Sequence, residues 1–310
     1  MRVFVAGASG AIGRVLVPML IEAGHEVIGT SRTTEGLDTL HAQGAGAVEL
    51  DVFDRDAVFA AVRDAAPDAV IHQLTAIPAR LDPRRISRDF MMTDRLRTEG
   101  TRHLLAAALQ AGAARLLAQS IAFAYAPGPP GTIHGEDDPL MSDPPAQFRR
   151  SAAAIAELER LVIGAGGLAL RYGYFYGPGT AISRDGSLAR EVARRRMPIV
   201  GGGGGVWSFI QVADAARATV AALSRGQAGA YNVVDDEPAR VSEWLPALAQ
   251  ALGAKPPRSV PAWLARPLAG EYGLLTMTRA QGASNARAKA ELGWRPQPAS
   301  WREGFRTALG

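Results

Sequence analysis

The chain of 310 residues has no cysteine, and only two of its 34 basic residues, Lys255 and Lys289, are lysines. Without cysteine there is no disulfide framework and no thiolate zinc site, and a reducing, cytoplasmic setting is expected. No run of about 20 apolar residues occurs, so no membrane-spanning helix is expected. The apolar N-terminus is interrupted by Gly7, Gly10, Gly13 and Arg14. No small-residue cleavage site follows it, so it does not read as a secretory signal. The sequence pI of about 9.7 and net charge of +4 raise the question of nucleic acid. The arginines are scattered, however. Their densest run, Arg194 to Arg196, falls in an expected helix and reads as a solvated face, so no nucleic-acid partner is expected. No internal repeat and no low-complexity tail are present.

What the chain does have is an alternation of short apolar runs and helical patterns. Strands are expected at 2–6 (RVFVA), 25–30, 47–51, 68–73, 115–120 and 168–173. Helices are expected at 11–23, across a long stretch near 85–111, and at 151–163. Continuous apolar strands separated by helices imply a parallel sheet covered on both faces, and right-handed crossovers make it doubly wound. The fold class is therefore α/β, a Rossmann-type sheet with a smaller C-terminal lobe. The pattern changes near residue 174, where Pro178, Gly179 and Gly186 break it up, and the run Gly201 to Gly205 follows. A strand at 206–210, a helix at 212–224 and a strand at 230–234 resume the earlier style. Further helices are expected at 242–252, 261–270 and 301–309. The expected division is a dinucleotide-binding domain over 1–177, with sheet elements added by about 206–235. The region 178–310 is then mainly a substrate-binding lobe.

The sharpest local signal is GASGAIG, Gly7 to Gly13, which directly follows a strand pattern and opens a helix pattern. Gly7 permits a tight turn, Gly10 lets the backbone approach a pyrophosphate, and Gly13 lets helix and strand pack closely. Free N–H groups and the helix dipole then favour phosphate. Gly7, Ser9, Gly10, Ala11, Ile12 and Gly13 are the candidate phosphate-binding residues. The second strand ends at Thr30-Ser31-Arg32 with no acidic residue before Glu35. An acid there would receive the ribose of NAD, whereas Arg32 suits the 2′-phosphate of NADP. NADP is the preferred cofactor and NAD the alternative. Asp51 and Val52 end the third strand and are candidates for the adenine, with Asp54 better placed as a helix cap.

These motifs, with AVIHQLTA, RYGYFYGPG, WSFIQVADAARA, AYNVVDDEP and ELGWRP, resemble the extended short-chain dehydrogenase/reductase superfamily, which includes sugar epimerases and dehydratases. The resemblance runs over nearly the whole chain. It implies that Leu74, Thr75, Ala76 and Gly173 line the cofactor, with Tyr174 and Phe175 near the nicotinamide. It also implies that 178–205 and 236–275 form the substrate lobe.

The same resemblance implies a catalytic Tyr-x-x-x-Lys pair in the helix before LALRYG. The matching segment, QFRRSAAAIAELERL, has Phe148 and Ala152 at those places, and no lysine precedes position 255. The chain thus looks like an atypical member, with Phe148 and Ala152 expected to face the nicotinamide side of the cleft. At the end of the fifth strand, QSIAFAYAPG keeps Ser120 but puts Ile121 where the catalytic serine is usual. Ser120, Tyr125 and Tyr174 remain as candidate catalytic groups. Each has an ordinary packing or hydrogen-bonding role as its competitor. His134 with Glu136, Asp137 and Asp138 lacks a ligand spacing, and no metal is expected. The expected activity is NAD(P)-dependent oxidoreduction of a small molecule. An epimerase or dehydratase using bound cofactor, and a non-catalytic NADP(H)-binding regulator, stay open, as does a homodimer.

Overall fold

The computed structural model describes residues 1–78, 81–82 and 84–309. Seven parallel strands form one sheet: β1 (Arg2–Ala6), β2 (Glu26–Ser31), β3 (Gly46–Glu49), β4 (Ala69–His72), β5 (Arg115–Ile121), β6 (Leu168–Tyr172) and β7 (Gly229–Val233). Their order is β3-β2-β1-β4-β5-β6-β7. The direction of winding reverses between β1 and β4, where Val3 is level with Ala69 and Ala6 with His72. In open α/β sheets the crevice at such a switch point, beyond the strands' carboxyl ends, is where ligands bind.

Alternation along each strand sends side chains to opposite faces. Val3 and Val5 join one core with Leu16, Val17 and Leu20 of α1 (Gly13–Glu22), while Phe4 and Ala6 join another with Val58 and Val62 of α3 (Arg55–Ala65). Helix α2 (Thr34–Ala42) links β2 to β3, and α4 (Thr101–Gln110) covers the same face as α3. Helix α5 (Arg149–Gly164) precedes β6, and α6 (Val212–Ala222) packs beside α1. Because the central strands are buried on both sides, they read as continuous apolar runs. Asp54 caps α3 by accepting from the Ala57 amide at 3.0 Å, as its position suggested.

Four elements depart from the sequence expectation. The long helix near 85–111 is broken into Ile86–Asp89, Met91–Arg95, a π-helical turn over Leu96–Gly100, and α4. Residues 206–210 do not enter the main sheet. Val206–Trp207 pairs antiparallel with Ala239–Arg240, and Phe209–Gln211 pairs parallel with Tyr174–Tyr176. The cause is a crossing at Gly173, whose amide still bonds Val233 while the next amide, Tyr174, bonds Ser208. A Cβ at 173 would stand 2.5 Å from the Ser208 carbonyl oxygen, so the two chains meet there only because the residue is glycine. The third strand stops at Glu49, leaving Asp51 in the turn that follows.

The helix expected at 261–270 instead runs as α8 (Ala262–Thr278), broken at Gly270, where φ is 65°. Helices α7 (Val241–Ala251) and α9 (Trp301–Leu309) complete the fold. A separate aromatic core holds this part together. Phe209 meets Trp244 and Phe305 edge-on, each with ring centroids 5.4 Å away.

Candidate active site

The glycine loop shows why each glycine is there. Gly7 has φ 89°, and a Cβ on it would lie 2.8 Å from the Gln73 carbonyl at the end of β4. A Cβ on Gly13 would lie 2.3 Å from the Ala8 carbonyl oxygen, so α1 could not start where it does. Gly10 differs, since its Cβ would touch only the Gly7 carbonyl oxygen, at 3.3 Å, and otherwise enter open space. No side chain caps α1, and the amides of Ala11 and Ile12 have no acceptor among the described residues. An uncapped helix start facing an open cradle is the setting a pyrophosphate requires. The residues present therefore fit a dinucleotide. Ser9 is held to the end of β2 by its hydroxyl, 3.2 Å from that of Ser31.

After the end of β2, Arg32 is exposed and makes no ion pair among the described residues. Asp51 uses one carboxylate oxygen to accept the Phe53 amide at 3.0 Å. Val52 is buried under Gly100, and its carbonyl accepts from His103 Nδ1 at 2.9 Å. The loop after β4 is set by buried groups. His72 Nδ1 accepts the Leu74 amide at 3.2 Å, so Nε2 carries the proton toward Thr101 Oγ1, 3.1 Å away. Burial lowers the His72 pKa to about 4, which keeps the ring neutral and this tautomer in place. The Ala76 amide donates to Thr93 Oγ1 at 3.0 Å, while Thr75 between them is exposed.

Two of the three candidate catalytic groups lie in a closed, buried network. Ser120 Oγ donates to Glu159 Oε1 at 2.6 Å. Arg171 binds Glu159 through both Nε and Nη2, at 2.9 and 2.6 Å, and its Nη1 donates to the Tyr125 hydroxyl at 2.8 Å and the Glu136 carbonyl at 3.0 Å. The Tyr125 hydroxyl in turn donates to Asn232 Oδ1 at 2.6 Å. Burial raises the Tyr125 pKa against the opposing pull of Arg171. Burial alone would lower Arg171, but the Glu159 carboxylate more than offsets it. His134 stacks on Tyr125 and directs its two nitrogens to Asp138 and Gln281. Among the described residues, no three His, Cys, Asp or Glu side chains form a metal-binding group.

The third candidate, Tyr174, is half-buried between Phe123 and Trp207, with centroids 4.2 and 3.9 Å away. Beside it is Tyr272, which sequence reasoning missed. Phe148 is buried and stacks on Tyr272 at 4.3 Å, and Ala152 packs into the same apolar cluster. Tyr272 arrives from α8 because of the break at Gly270. Gln147 fills the break, where a Cβ on Gly270 would collide with its amide, and Gln147 Oε1 accepts the Tyr272 amide at 3.0 Å. Burial raises the pKa of both tyrosines, and Tyr272 pushes Tyr174 up further.

Arg97, from the π-helical turn, was missed as well. Its side chain is 6% exposed, and among the described residues its one carboxylate neighbour within ion-pair reach is Asp94 at 3.9 Å. Ser151 of α5 donates to the other Asp94 oxygen at 3.0 Å, which ties the segment just before this turn to the helix that bears Ala152 and starts after Phe148. The sequence held one faint sign, a polar stripe of Thr93, Asp94, Arg97 and Thr101 at helical spacing, all of it buried. Asp235 is a different case. Both its oxygens are sealed without a partner, and burial pushes its pKa well up.

The family model for the NAD dependent epimerase/dehydratase family matches residues 3–234. The chain belongs to that family. It is 49% identical over 311 aligned residues, 98% of this chain and 99% of the relative, to a Streptomyces protein named as a 3-diazoavenalumate denitrifying reductase. It is 27% identical, over 82% of this chain and 74% of the relative, to a 4-hydroxy-2-methyl-3-oxo-4-farnesyl-3,4-dihydroquinoline-1-oxide ketoreductase of Stigmatella aurantiaca. The fold matches a Thermus thermophilus UDP-glucose 4-epimerase solved with NAD, with a TM-score of 0.77, 26% identity and coverage of 100% and 98% of the two chains. The chain is an NAD(P)-dependent oxidoreductase. Among the described residues no helix is long and apolar enough to cross a membrane.

Proposed function

We propose that this oxidoreductase reduces the diazo group of an aromatic substrate, replacing it with hydrogen and releasing dinitrogen. The observation that carries this reading is Phe148 just before α5 and Ala152 within it, where the resemblance calls for tyrosine and lysine. A carbonyl reduced to an alcohol develops an alkoxide, and a positioned acid is then worth about 10²- to 10⁴-fold. A diazonium group makes no such demand. The hydride pair forms the new ring C–H bond, the C–N bond breaks, and its electron pair leaves with dinitrogen. No proton enters that balance, so a helix without a Tyr-Lys pair suits it. The reading is also supported by the 49% identical reductase named for a diazo substrate.

Bound NAD(P)H would supply the hydride. Gly7, Ser9, Gly10, Ala11, Ile12 and Gly13 would hold its pyrophosphate, Asp51 and Val52 the adenine, and Leu74, Thr75, Ala76 and Gly173 the remaining length. Arg32, exposed and unpaired, supports a preference for NADP. Ser120 and Tyr125 serve to hold β5, β6 and α5 together, and Tyr174 remains at the reacting end. Phe148 and the Phe123–Tyr174–Trp207 stack supply apolar walls that would keep water from a hydrolysable diazo group. Residues 178–205 and 236–275 are read as the substrate lobe, which contributes Tyr272.

The test is to supply 3-diazoavenalumate with NADPH or NADH and follow both nicotinamide oxidation and gas release. Equimolar dinitrogen and oxidised cofactor are expected, faster with NADPH. Consumption of cofactor on ketones or aldehydes, with the diazo compound left intact, would overturn the proposal.

A further inference from the structure

Arg97 is the residue whose surroundings are least complete. A guanidinium has five N–H donors and no acceptor. Arg97 donates none of them to a described residue, although the residue is 5% exposed. Asp94 at 3.9 Å is beyond hydrogen-bond range and already accepts from Ser151. Burying a charge without such partners is expensive, so a site of this kind is completed by something else. The guanidinium nitrogens are not sealed, whereas Asp94 Oδ1 is. The hydroxyls of Tyr174 and Tyr272 share this condition, since neither has a hydrogen-bond partner among the described residues and neither is sealed. Arg97 and Tyr272 are close enough for each to favour the other's charged form, as are Arg97 and Asp94. Three polar groups from three separate elements therefore lack a hydrogen-bond partner among the described residues, close to the aromatic rings of Phe148, Phe123 and Trp207.

We propose that Arg97 binds an anionic group of the substrate, a carboxylate or phenolate oxygen carried on a planar aromatic framework, with the Tyr174 and Tyr272 hydroxyls as its neighbours. The guanidinium fork matches a carboxylate bidentately, and such a ligand would supply the acceptors that Arg97 lacks. The ligand is a substrate group rather than a cofactor phosphate because of where Arg97 stands. The phosphate cradle is at the start of α1, whereas the Arg97 turn is tied to Ser151 of α5 and, through Thr93, to Ala76. The inference rests on reading this end of the cleft as the substrate end of a reductase, and it specifies the substrate class as an aromatic acid.

The experiment measures binding without turnover. Calorimetry on the NADPH-loaded protein compares 4-hydroxycinnamate with its methyl ester. The acid should bind about 10- to 100-fold more tightly, the range for a hydrogen-bonded charge. Arg97→Met should erase that preference while leaving NADPH affinity unchanged, and Arg97→Lys should retain part of it. Equal binding of acid and ester by the unmutated protein would overturn the inference, and needs no variant to fold. A loss of NADPH affinity in Arg97→Met as large as the loss for the acid would also overturn it, by assigning the guanidinium to the cofactor. An acid preference in a protein that leaves diazo compounds intact would sink the proposed reaction but not this subsite. Diazo reduction without acid preference would do the reverse.

Discussion

Two groups of similar side chains lie at the carboxyl end of the same sheet. One joins Ser120, Tyr125, Glu159, Arg171 and Asn232, and the other Arg97, Tyr174 and Tyr272. Both contain a buried arginine and tyrosine hydroxyls. In the first, Arg171 makes four hydrogen bonds of 2.6 to 3.0 Å, and Tyr125 both accepts and donates. In the second, no guanidinium or hydroxyl donor has an acceptor among the described residues. Residue type therefore says little about which group meets substrate, and saturation says more. A network with nearly all its donors used holds elements together, while one left open is suited to a ligand.

The comparison can be broken most forcefully at Glu159. Glu159→Ala strands a buried guanidinium, and removing one partner of such a pair costs about 3–5 kcal/mol. Urea unfolding should show a loss of that size, and a loss below about 1 kcal/mol would mean the network is not a structural tie. The next effect concerns His72, a closed group of another kind. Its folded pKa of about 4 lies below the ordinary 6.5, so at neutral pH neither state carries the proton. As pH falls below 6.5 the unfolded chain is protonated first. Stability is then lost progressively until about pH 4, by about 3 kcal/mol in all. Wild type minus His72→Asn, measured by chemical denaturation across that window, should isolate this slope from the carboxylates. A difference that is flat with pH would show that His72 titrates normally.

Smaller effects sharpen the contrast. Arg32→Ala should weaken NADPH by about 1.5–3 kcal/mol and leave NADH nearly unchanged, since only the 2′-phosphate is lost as a partner. Equal losses in calorimetry would remove Arg32 from that role. The finest test pairs two tyrosines. Tyr125→Phe leaves Arg171 and Asn232 each short of a partner and should destabilise by about 1–3 kcal/mol. Tyr272→Phe abandons no protein partner and should change folding stability by less than about 0.5 kcal/mol. It should instead show in the affinity for an aromatic acid. Equal stability losses in the two variants would erase the distinction between closed and open groups.

The legibility of the two regions differed for the same reason. Ser120, Tyr125 and Tyr174 stood out because they lie at or just after the ends of strands β5 and β6, and a strand followed by a loop at the sheet's carboxyl end is visible along the chain. What their hydroxyls bind is not visible there, because Glu159 and Asn232 come from other elements. Arg97 was hidden inside an expected continuous helix, and only the π-helical turn marks the place as unusual. Tyr272 comes from a helix contacting Gln147 across 125 residues of sequence. The absence of a lysine at position 152 was plain, but what packs against the resulting alanine was not.

The sequence by itself determined the parallel, doubly wound scaffold and the glycine loop after its first strand, because both rest largely on local rules. Apolar period sets which faces of RVFVA and AVIH are buried, and the glycines of GASGAIG meet backbone atoms of their own loop or of the adjacent strand. Only the tertiary structure decided that 206–211 leaves the main sheet, that α8 breaks at Gly270 to bring Tyr272 onto Phe148, and that Arg97 is buried without a hydrogen-bond partner among the described residues. Those outcomes depend on which distant backbone and side chain compete for the same space. No window of sequence contains both competitors.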